Sequence, residues 1–322
     1  MHKVLVTGAG GFIGRALCSR LLAEGWRVRG TIRSNNQFAR LPDGVETIKI
    51  DSVGLETDWS KALEGIDIVI HLAARVHVMK DSTADSPAEY RQVNVAGTEG
   101  LARGAATKGV HRLVFMSSIK VNGEGRPLPY TETDVPEPQD PYAVSKWEAE
   151  QILNEIVADT GLESVIRRSP LVYGPGVRAN FLKLMKIVQR GIPLPLGKVN
   201  NRRSLIYLEN LVDAIITCAS HSKAKGQTYL VSDGEDVTTP DLIRRIASAL
   251  GRPARIFAFP TFWLRLAARL LGKGAAVDRV LGTLTIDMSK IQRDLEWNPP
   301  YKMNHGLRET AKWYKQTKGL PN

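Results

Sequence analysis

A tyrosine and a lysine stand at a spacing suited to proton transfer. Tyr142 and Lys146 are four residues apart, directly after the helix-start signal Asp140-Pro141, so they share one face of a predicted helix. A free phenol has a pKa of about 10 and exchanges protons poorly at neutral pH, whereas a neighbouring ammonium stabilises its phenolate. The pair predicts acid–base chemistry, although the same spacing is also common on helices without such a role.

A hydroxyl group that could assist closes a neighbouring strand. Ser117 and Ser118 end the apolar segment Arg112 to Met116, at the edge where open α/β sheets bind ligands. A hydroxyl there can donate a hydrogen bond to a carbonyl oxygen that gains negative charge. The alternative for either serine is a simple cap at the start of a loop.

Glycines near the N-terminus predict a phosphate-binding turn. The segment TGAGGFIG, residues 7–14, joins a predicted strand to a predicted helix at Ile13 to Glu24. Gly8, Gly11 and Gly14 permit a tight turn, close approach of a pyrophosphate and helix-to-strand packing, with the helix N-terminus facing the phosphates. In this strand-turn-helix context the motif predicts dinucleotide binding, whereas glycines alone would fit a structural turn.

The ends of the next two strands bear on which dinucleotide binds. A carboxylate after the second strand would bind the ribose hydroxyl of NAD, but this strand is followed by Arg33. We therefore predict NADP(H), with NAD(H) as the alternative, and Arg33 as a solvated surface residue is the other interpretation. Asp51 and Ser52 end the third strand and are expected near the adenine, although Asp51 could equally form a turn.

The elements that must position these residues follow an alternating order. Short apolar runs alternate with amphipathic segments, which predicts a doubly wound parallel α/β sheet. We expect a dinucleotide-binding domain at 1–168, to which the chain returns at about 204–234, and a mainly helical substrate domain at 169–203 and 235–322. The strands are predicted at Lys3 to Val6, Arg27 to Ile32, Glu46 to Ile50, Ile66 to Leu72, Arg112 to Met116, Ser164 to Arg167 and Gln227 to Val231.

Composition excludes several other classes of protein. The 322 residues are 43% hydrophobic and 24% charged, as in an ordinary globular chain, and the net charge of +11 is scattered without a lysine or arginine run. We therefore expect no nucleic-acid partner. Cys18 and Cys218 form neither a disulfide framework nor a metal site, which favours the cytoplasm. Ile256 to Leu271, the most apolar stretch, contains Pro260 and two arginines, so no membrane span is predicted.

These motifs, in this order, resemble the extended short-chain dehydrogenase/reductase superfamily and in particular its nucleotide-sugar epimerases, reductases and dehydratases. The resemblance implies a Rossmann-type fold, a UDP-sugar substrate and a homodimer formed through the helices around Asn94 and Tyr142. It implies that Tyr142 transfers the proton, Lys146 also holds the nicotinamide ribose and Ser118 binds the reacting oxygen. Its further implied cofactor contacts are Phe12, Ile13, Leu72, Ala73, Ala74, Asn94, Ser117, Pro170 and Val172, and its implied substrate contacts are Asn180, Leu194, Leu196, Arg203 and Arg279.

The residues after Ser118 narrow the set of reactions that the chain could catalyse. Dehydratases of the superfamily carry an Asp-Glu pair there, and this chain has Ile119 and Lys120, which disfavours dehydration. The segment Ser118 to Gly123 and the basic loop at Arg203 resemble bacterial reductases of UDP-4-keto-6-deoxy-N-acetylglucosamine, which serve surface polysaccharide and lipopolysaccharide synthesis. The alternatives are an NAD-dependent UDP-sugar 4-epimerase and a non-catalytic NADP-binding sensor, against which the intact Tyr142–Lys146 pair argues.

Overall fold

The predicted parallel sheet forms the centre of the molecule. A computed structural model describes residues 2–33, 41–76, 87–270, 272 and 274–318. Its strands are β1 (Lys3–Thr7), β2 (Arg27–Ile32), β3 (Glu46–Lys49), β4 (Ile68–His71), β5 (Arg112–Ser118), β6 (Glu163–Ser169), β7 (Leu171–Tyr173), β8 (Leu205–Tyr207) and β9 (Gln227–Leu230). Seven of them pair in the order β3-β2-β1-β4-β5-β6-β9, with every pair parallel. This order confirms the doubly wound α/β prediction.

Helices cover both faces of this sheet, because its central strands are buried along nearly their whole length. No helix among the described residues is both long and apolar enough to cross a bilayer. The helices are α1 (Phe12–Ala23), α2 (Ser60–Leu63), α3 (Pro87–Tyr90), a π-helix (Arg91–Ala96), α4 (Gly97–Thr107), α5 (Pro141–Thr160), α6 (Ala179–Gln189), α7 (Leu208–Ser220), α8 (Thr239–Leu250), α9 (Thr261–Leu270), α10 (Gly274–Leu281), α11 (Ser289–Leu295) and α12 (Met303–Lys318).

The chain reverses its winding between β1 and β4, and this is the point where doubly wound sheets bind ligands. Thr7 and His71 end these two strands side by side, and the Thr7 hydroxyl oxygen lies 2.6 Å from His71 Nδ1. The same oxygen accepts hydrogen bonds from the backbone N–H groups of Leu72 at 3.2 Å and Ala73 at 3.1 Å. Thr7 therefore fixes the segment after β4 beside the glycine turn.

A second layer, which the sequence pattern did not predict as strands, follows the main sheet. β7 and β8 pair in parallel but have only three residues each, too few for a periodic pattern to reveal. The buried Asp233 carboxylate, just beyond β9, joins them, since it accepts hydrogen bonds of 2.7 Å from the Tyr173 hydroxyl, the Tyr207 N–H and the Asn210 amide. The two-domain division stays a prediction.

Candidate active site

The glycine turn has the geometry that a pyrophosphate site requires. Gly8 adopts φ +69°, a backbone conformation that favours glycine, and its carbonyl accepts a 2.9 Å hydrogen bond from the N–H of Gly11. A Cβ atom on Gly14 would lie 2.4 Å from the Gly8 carbonyl oxygen, so only glycine lets α1 pack this closely on the turn. Phe12 and Ile13 form the first turn of α1, where backbone N–H groups have no partner within a helix. These donors and the positive end of the helix suit an anionic pyrophosphate.

A groove continues from this turn across the ends of β2, β3 and β4. Arg33, the first residue after β2, is exposed at its edge, whereas Asp51 and Ser52 do not line it. The Asp51 side chain is 94% exposed, and its carboxylate lies 3.8 Å from the Lys49 ammonium. This exposed position fits the alternative interpretation of Asp51 as a turn residue. The lining side chains and backbone belong to Gly8, Gly10, Gly11, Thr31, Arg33, Ile50, Val53, Leu72, Ala73, Ala74 and Val93. Sequence reasoning missed Ile50 and Val53 because it expected polar contacts.

The structure brings Ser118 and Tyr142 together. The Asp140 carboxylate accepts a 2.7 Å hydrogen bond from the N–H of Ala143, which confirms Asp140 as the N-cap of α5. Tyr142 lies in the first turn of that helix, and Ser118 ends β5 with its hydroxyl in hydrogen-bonding reach of the phenol. The two hydroxyl groups therefore form one donor pair at the ligand-binding edge of the sheet.

Burial, rather than a neighbouring cation, dominates the acidity of Tyr142. Burial raises the pKa of this phenol well above its ordinary value, and the Asp140 carboxylate raises it further, whereas the hydrogen bond from Ser118 lowers it. The Lys146 ammonium donates a 2.8 Å hydrogen bond to the Met116 carbonyl oxygen, 4.4 Å from the centre of the Phe115 ring. Burial lowers the pKa of Lys146 to about 7, against a raising effect of Glu150. Tyr142 is therefore protonated at neutral pH and suited to donate a proton.

The Asn94 and Ser117 side chains form hydrogen bonds that connect the elements around the site. The buried Asn94 amide accepts a 2.8 Å hydrogen bond from the Arg75 N–H and donates to Ser145 Oγ at 2.9 Å, so it ties the segment after β4 to α5. Ser117 donates a 2.5 Å hydrogen bond to Glu150, which pairs with Arg168. Because adjacent strand residues face opposite sides, the Ser117 hydroxyl points away from the cleft. Any contact of Ser117 with a cofactor would fall to its main chain.

Lys120 lies near Ser118 and Tyr142. In the sequence it stands out only because dehydratases carry an acidic residue at this position. Its ammonium donates hydrogen bonds to the Asp140 carboxylate and, at 2.8 Å, to Glu124. Its single positive charge therefore offsets part of the negative charge of these two carboxylates. The signal that could have found it is the N-cap Asp140, which needs a counter-charge near the catalytic helix.

The predicted substrate contacts lie in three places. Asn180 is exposed in the first turn of α6, directly after Ala179, whose φ of +52° is rare outside glycine. The segment of Leu194 and Leu196 pairs with residues 255–257, through a 2.9 Å hydrogen bond from the Leu194 N–H to the Arg255 carbonyl. Pro170 and the half-buried Val172, which are predicted cofactor contacts, lie at the start of the second layer, between β6 and the middle of β7.

Arg203 contacts a segment that lies about eighty residues further along the chain. Its guanidinium donates a 3.2 Å hydrogen bond to the Gly282 carbonyl, and its backbone bridges to Val237 and Leu284. Burial lowers the pKa of Arg203, opposed by Glu124. The backbone of Arg279 belongs to α10, directly before this segment, but its side chain lies outside the described part of the structure.

The fold and the glycine turn are those of a dinucleotide-binding protein, and comparison with known sequences gives its family. A sequence model described as "NAD dependent epimerase/dehydratase family" matches residues 4–232, so the chain belongs to that family. This membership confirms the predicted class of enzyme, a nucleotide-sugar oxidoreductase/epimerase that uses a nicotinamide dinucleotide, and the family description and the bound NAD of structural neighbours favour NAD.

Individual relatives are similar over almost the whole chain. A UDP-glucose 4-epimerase of Vibrio cholerae is 42% identical over 318 residues, which cover 98% of this chain and 96% of the relative. MoeE5, solved in complex with UDP-glucose and NAD, is 26% identical with a TM-score of 0.78, covering 98% of this chain and 99% of the other. The fold is also that of a UDP-N-acetylglucosamine 4-epimerase from Methanobrevibacter ruminantium M1, with a TM-score of 0.80, 23% identity and the same coverage.

Proposed function

We propose that this protein transfers a hydride at C4 of a UDP-linked sugar, and that its net reaction is reduction of the C4 keto group of a UDP-4-keto-6-deoxy-N-acetylhexosamine. The observation that carries this proposal is the proximity of the Ser118 and Tyr142 hydroxyl groups at the end of β5, at the same sheet edge as the glycine turn. The 42% identical relative supports a UDP-sugar as the substrate.

The groove fits a nicotinamide dinucleotide, since its lining combines glycine backbone, aliphatic side chains and Arg33. When bound, the dinucleotide supplies the hydride. Ser118 donates a hydrogen bond to the C4 oxygen, and Tyr142 gives its proton to that oxygen as the alkoxide forms. Lys146 in its cationic form stabilises the phenolate that remains. The raised pKa of Tyr142 keeps the phenol protonated, which is the form that the reduction step needs.

NADPH is the reductant that we propose, on the position of Arg33 at the groove edge. A guanidinium there suits the 2′-phosphate of NADP, whereas NAD-specific sites place a carboxylate after the second strand. The NAD bound in MoeE5 supports the alternative cofactor. Titration of the purified protein with NADPH and NADH decides between them. Arg33→Asp is expected to reverse the preference, and an unchanged ratio of the two dissociation constants would rule this role out.

The second candidate is a UDP-sugar 4-epimerase, which the relative from Vibrio cholerae favours. Purified protein is incubated with NADPH or NADH and UDP-4-keto-6-deoxy-N-acetylglucosamine, and in parallel with UDP-glucose and UDP-N-acetylglucosamine. Stoichiometric consumption of NADPH with formation of the 4-hydroxy sugar supports the reductase. Interconversion of the C4 isomers without net cofactor consumption supports the epimerase, and dinucleotide binding with no turnover in any mixture supports a sensor.

A further inference from the structure

Apolar side chains are unusually exposed on α9 and beside it. Phe262 is 66% exposed, Trp263 55% and Leu270 80%, although side chains of this kind are normally packed inside proteins. The exposed large apolar residues between positions 257 and 280 are Phe257, Phe262, Trp263, Leu266, Leu270 and Val280. The Phe262 and Trp263 rings lie edge to face with centroids 5.5 Å apart, and an exposed apolar cluster of this kind marks a docking site.

The exposed residues lie on one side of the helix. At 3.6 residues per turn, Phe262, Leu266, Leu270 and Trp263 fall within an arc of about 100°. Leu264, on the opposite side, is only partly exposed. The outward face of helix α9 is therefore apolar and aromatic.

Positive charge borders the outward face. Arg265 and Arg269 follow the same helix on one flank of the aromatic arc, and both are exposed. The stretch from residue 252 to 281 contains six basic residues and a single acidic one, Asp278, so it carries +5 of the net charge of +11. Asp278 lies 3.5 Å from Arg265 and lowers the charge of the flank only in part.

We propose that α9 docks this protein on the surface of a bilayer that contains anionic phospholipid. The Phe and Trp side chains would enter the apolar layer below the headgroups, and the flanking arginines would pair with lipid phosphates. A helix of ten residues is about 15 Å long, half the thickness of the hydrocarbon core, so it lies in the interface and does not span it.

Charge decides in favour of this occupant over a second copy of the chain. A second copy docked through this stretch would bring the same charge of +5 against it, and like charges repel. An anionic membrane instead has an apolar layer beneath negatively charged headgroups. The apolar layer suits the exposed aromatic face of α9, and the headgroups suit Arg265 and Arg269 beside it.

The structure also shows what such docking would place near the membrane. The chain passes from α10 directly to Gly282, whose carbonyl accepts a hydrogen bond from the Arg203 guanidinium. Docking through α9 would therefore hold the loop that contains Arg203 close to the lipid surface. The docking proposal itself stands on the residues of α9 and does not depend on the reaction catalysed.

The test measures co-sedimentation of the full-length protein with vesicles. Vesicles of phosphatidylcholine mixed with phosphatidylglycerol are expected to bind the protein, and vesicles of phosphatidylcholine alone are not. The double variant F262S/W263S should reduce binding by about tenfold or more. The variant R265Q/R269Q should reduce it by about 30-fold at low salt, and added salt should weaken the wild type.

Matched variants separate docking from general effects. L128S/V135S removes two side chains that are at least as exposed but lie outside the 252–281 stretch, and K61Q/K108Q removes two exposed charges elsewhere. Both are expected to bind like the wild type, and all variants should keep the wild-type melting temperature. Equal binding of F262S/W263S, or no binding of the wild type to either vesicle, would overturn the proposal. It would also be overturned by self-association in sedimentation velocity that this variant abolishes, without vesicle binding.

Discussion

At the scale of single residues, the proposed chemistry depends on Tyr142 and on the groups that set its protonation. Ser118 donates to it, Asp140 and burial hold its proton on, and Lys146 lies one helical turn further along α5. Asp140 serves two roles, because it also caps the helix that carries Tyr142, and its carboxylate accepts a hydrogen bond from the Lys120 ammonium. A proton donor is thus placed by backbone geometry and tuned by its surroundings.

Tyr142→Phe removes the proton donor without changing the shape of the ring. We expect turnover to fall by about 100- to 10,000-fold, the range for loss of a general acid. Dinucleotide affinity, measured by fluorescence titration, should change little. Tyr229→Phe serves as the control, since this ring lies in β9 at the far edge of the sheet, and it should keep full activity. Full activity in Tyr142→Phe would remove this residue from the mechanism.

Lys146 makes a prediction about stability and pH in the dinucleotide-free protein. Burial lowers its pKa from 10.5 to about 7, so between these two values the unfolded chain binds more protons than the folded one. The contribution of Lys146 to the free energy of unfolding therefore rises with pH from about 7 to about 10 and is lowest below pH 7.

Urea unfolding at a series of pH values measures this contribution. Lys146→Met should abolish the part of the rise that Lys146 causes, so that the wild type gains stability relative to the variant as the pH increases. Lys108→Met, at an exposed position, should follow the wild-type curve. A constant difference between wild type and Lys146→Met across this range would show that the folded protein does not depress the pKa.

At the scale of elements, β6 places Arg167 and Arg168 on opposite faces of the sheet. Of the two side chains, Arg168 has an ion-pair partner and Arg167 has none among the described residues. Arg168 reaches Glu150 on α5 with a 2.6 Å ion pair, and both side chains are buried. Arg167 is fully buried, and none of its guanidinium nitrogens has a hydrogen-bond partner among the described residues. Burial accordingly lowers the pKa of Arg167 to about 10.

Two substitutions in this strand should therefore shift stability in opposite directions. Arg167→Met removes an unpaired buried charge, and we expect the free energy of unfolding to rise by about 1–4 kcal/mol. Arg168→Met leaves Glu150 buried without its partner and should cost about 3–5 kcal/mol. Urea unfolding at constant pH compares the two. Destabilisation by Arg167→Met would indicate that its guanidinium has a partner in solution, such as buried water.

The same scale shows why short elements escape prediction. Helix α5 carries a capping aspartate, a proline and twenty residues, and its start was predicted correctly. The strands β7 and β8 have three residues each and are held by the Asp233 carboxylate, which lies more than twenty residues from either. Because a group distant in sequence helps to hold these strands, no local sequence pattern predicts them.

At the scale of the whole molecule, a single sheet edge gathers the ends of strands that are far apart in sequence. The glycine turn after β1, the segment after β4 and the serines of β5 meet there because neighbouring strands run parallel. Parallel pairing therefore converts three local motifs into one site.

The homodimer stays a prediction at this scale. We expect sedimentation velocity to show a species of two chains whose interface is formed by α4 and α5. Reversal of charge at Arg103, an exposed residue of α4, should weaken that species, whereas reversal at Arg190, beyond α6, should not. A single-chain species at every concentration tested would contradict the prediction.

The sequence by itself predicted the doubly wound parallel sheet, the glycine turn and the helix cap at Asp140, because each rests on a local pattern of residue types, whereas the order of the strands came from the tertiary structure. Only the tertiary structure decided that Ser117 faces Glu150, that Ile50 and Val53 rather than Asp51 line the groove, and that burial outweighs Lys146 in setting the acidity of Tyr142. Side-chain direction, burial and solvation depend on neighbours from distant segments, and these become neighbours only when the sheet and its covering helices assemble.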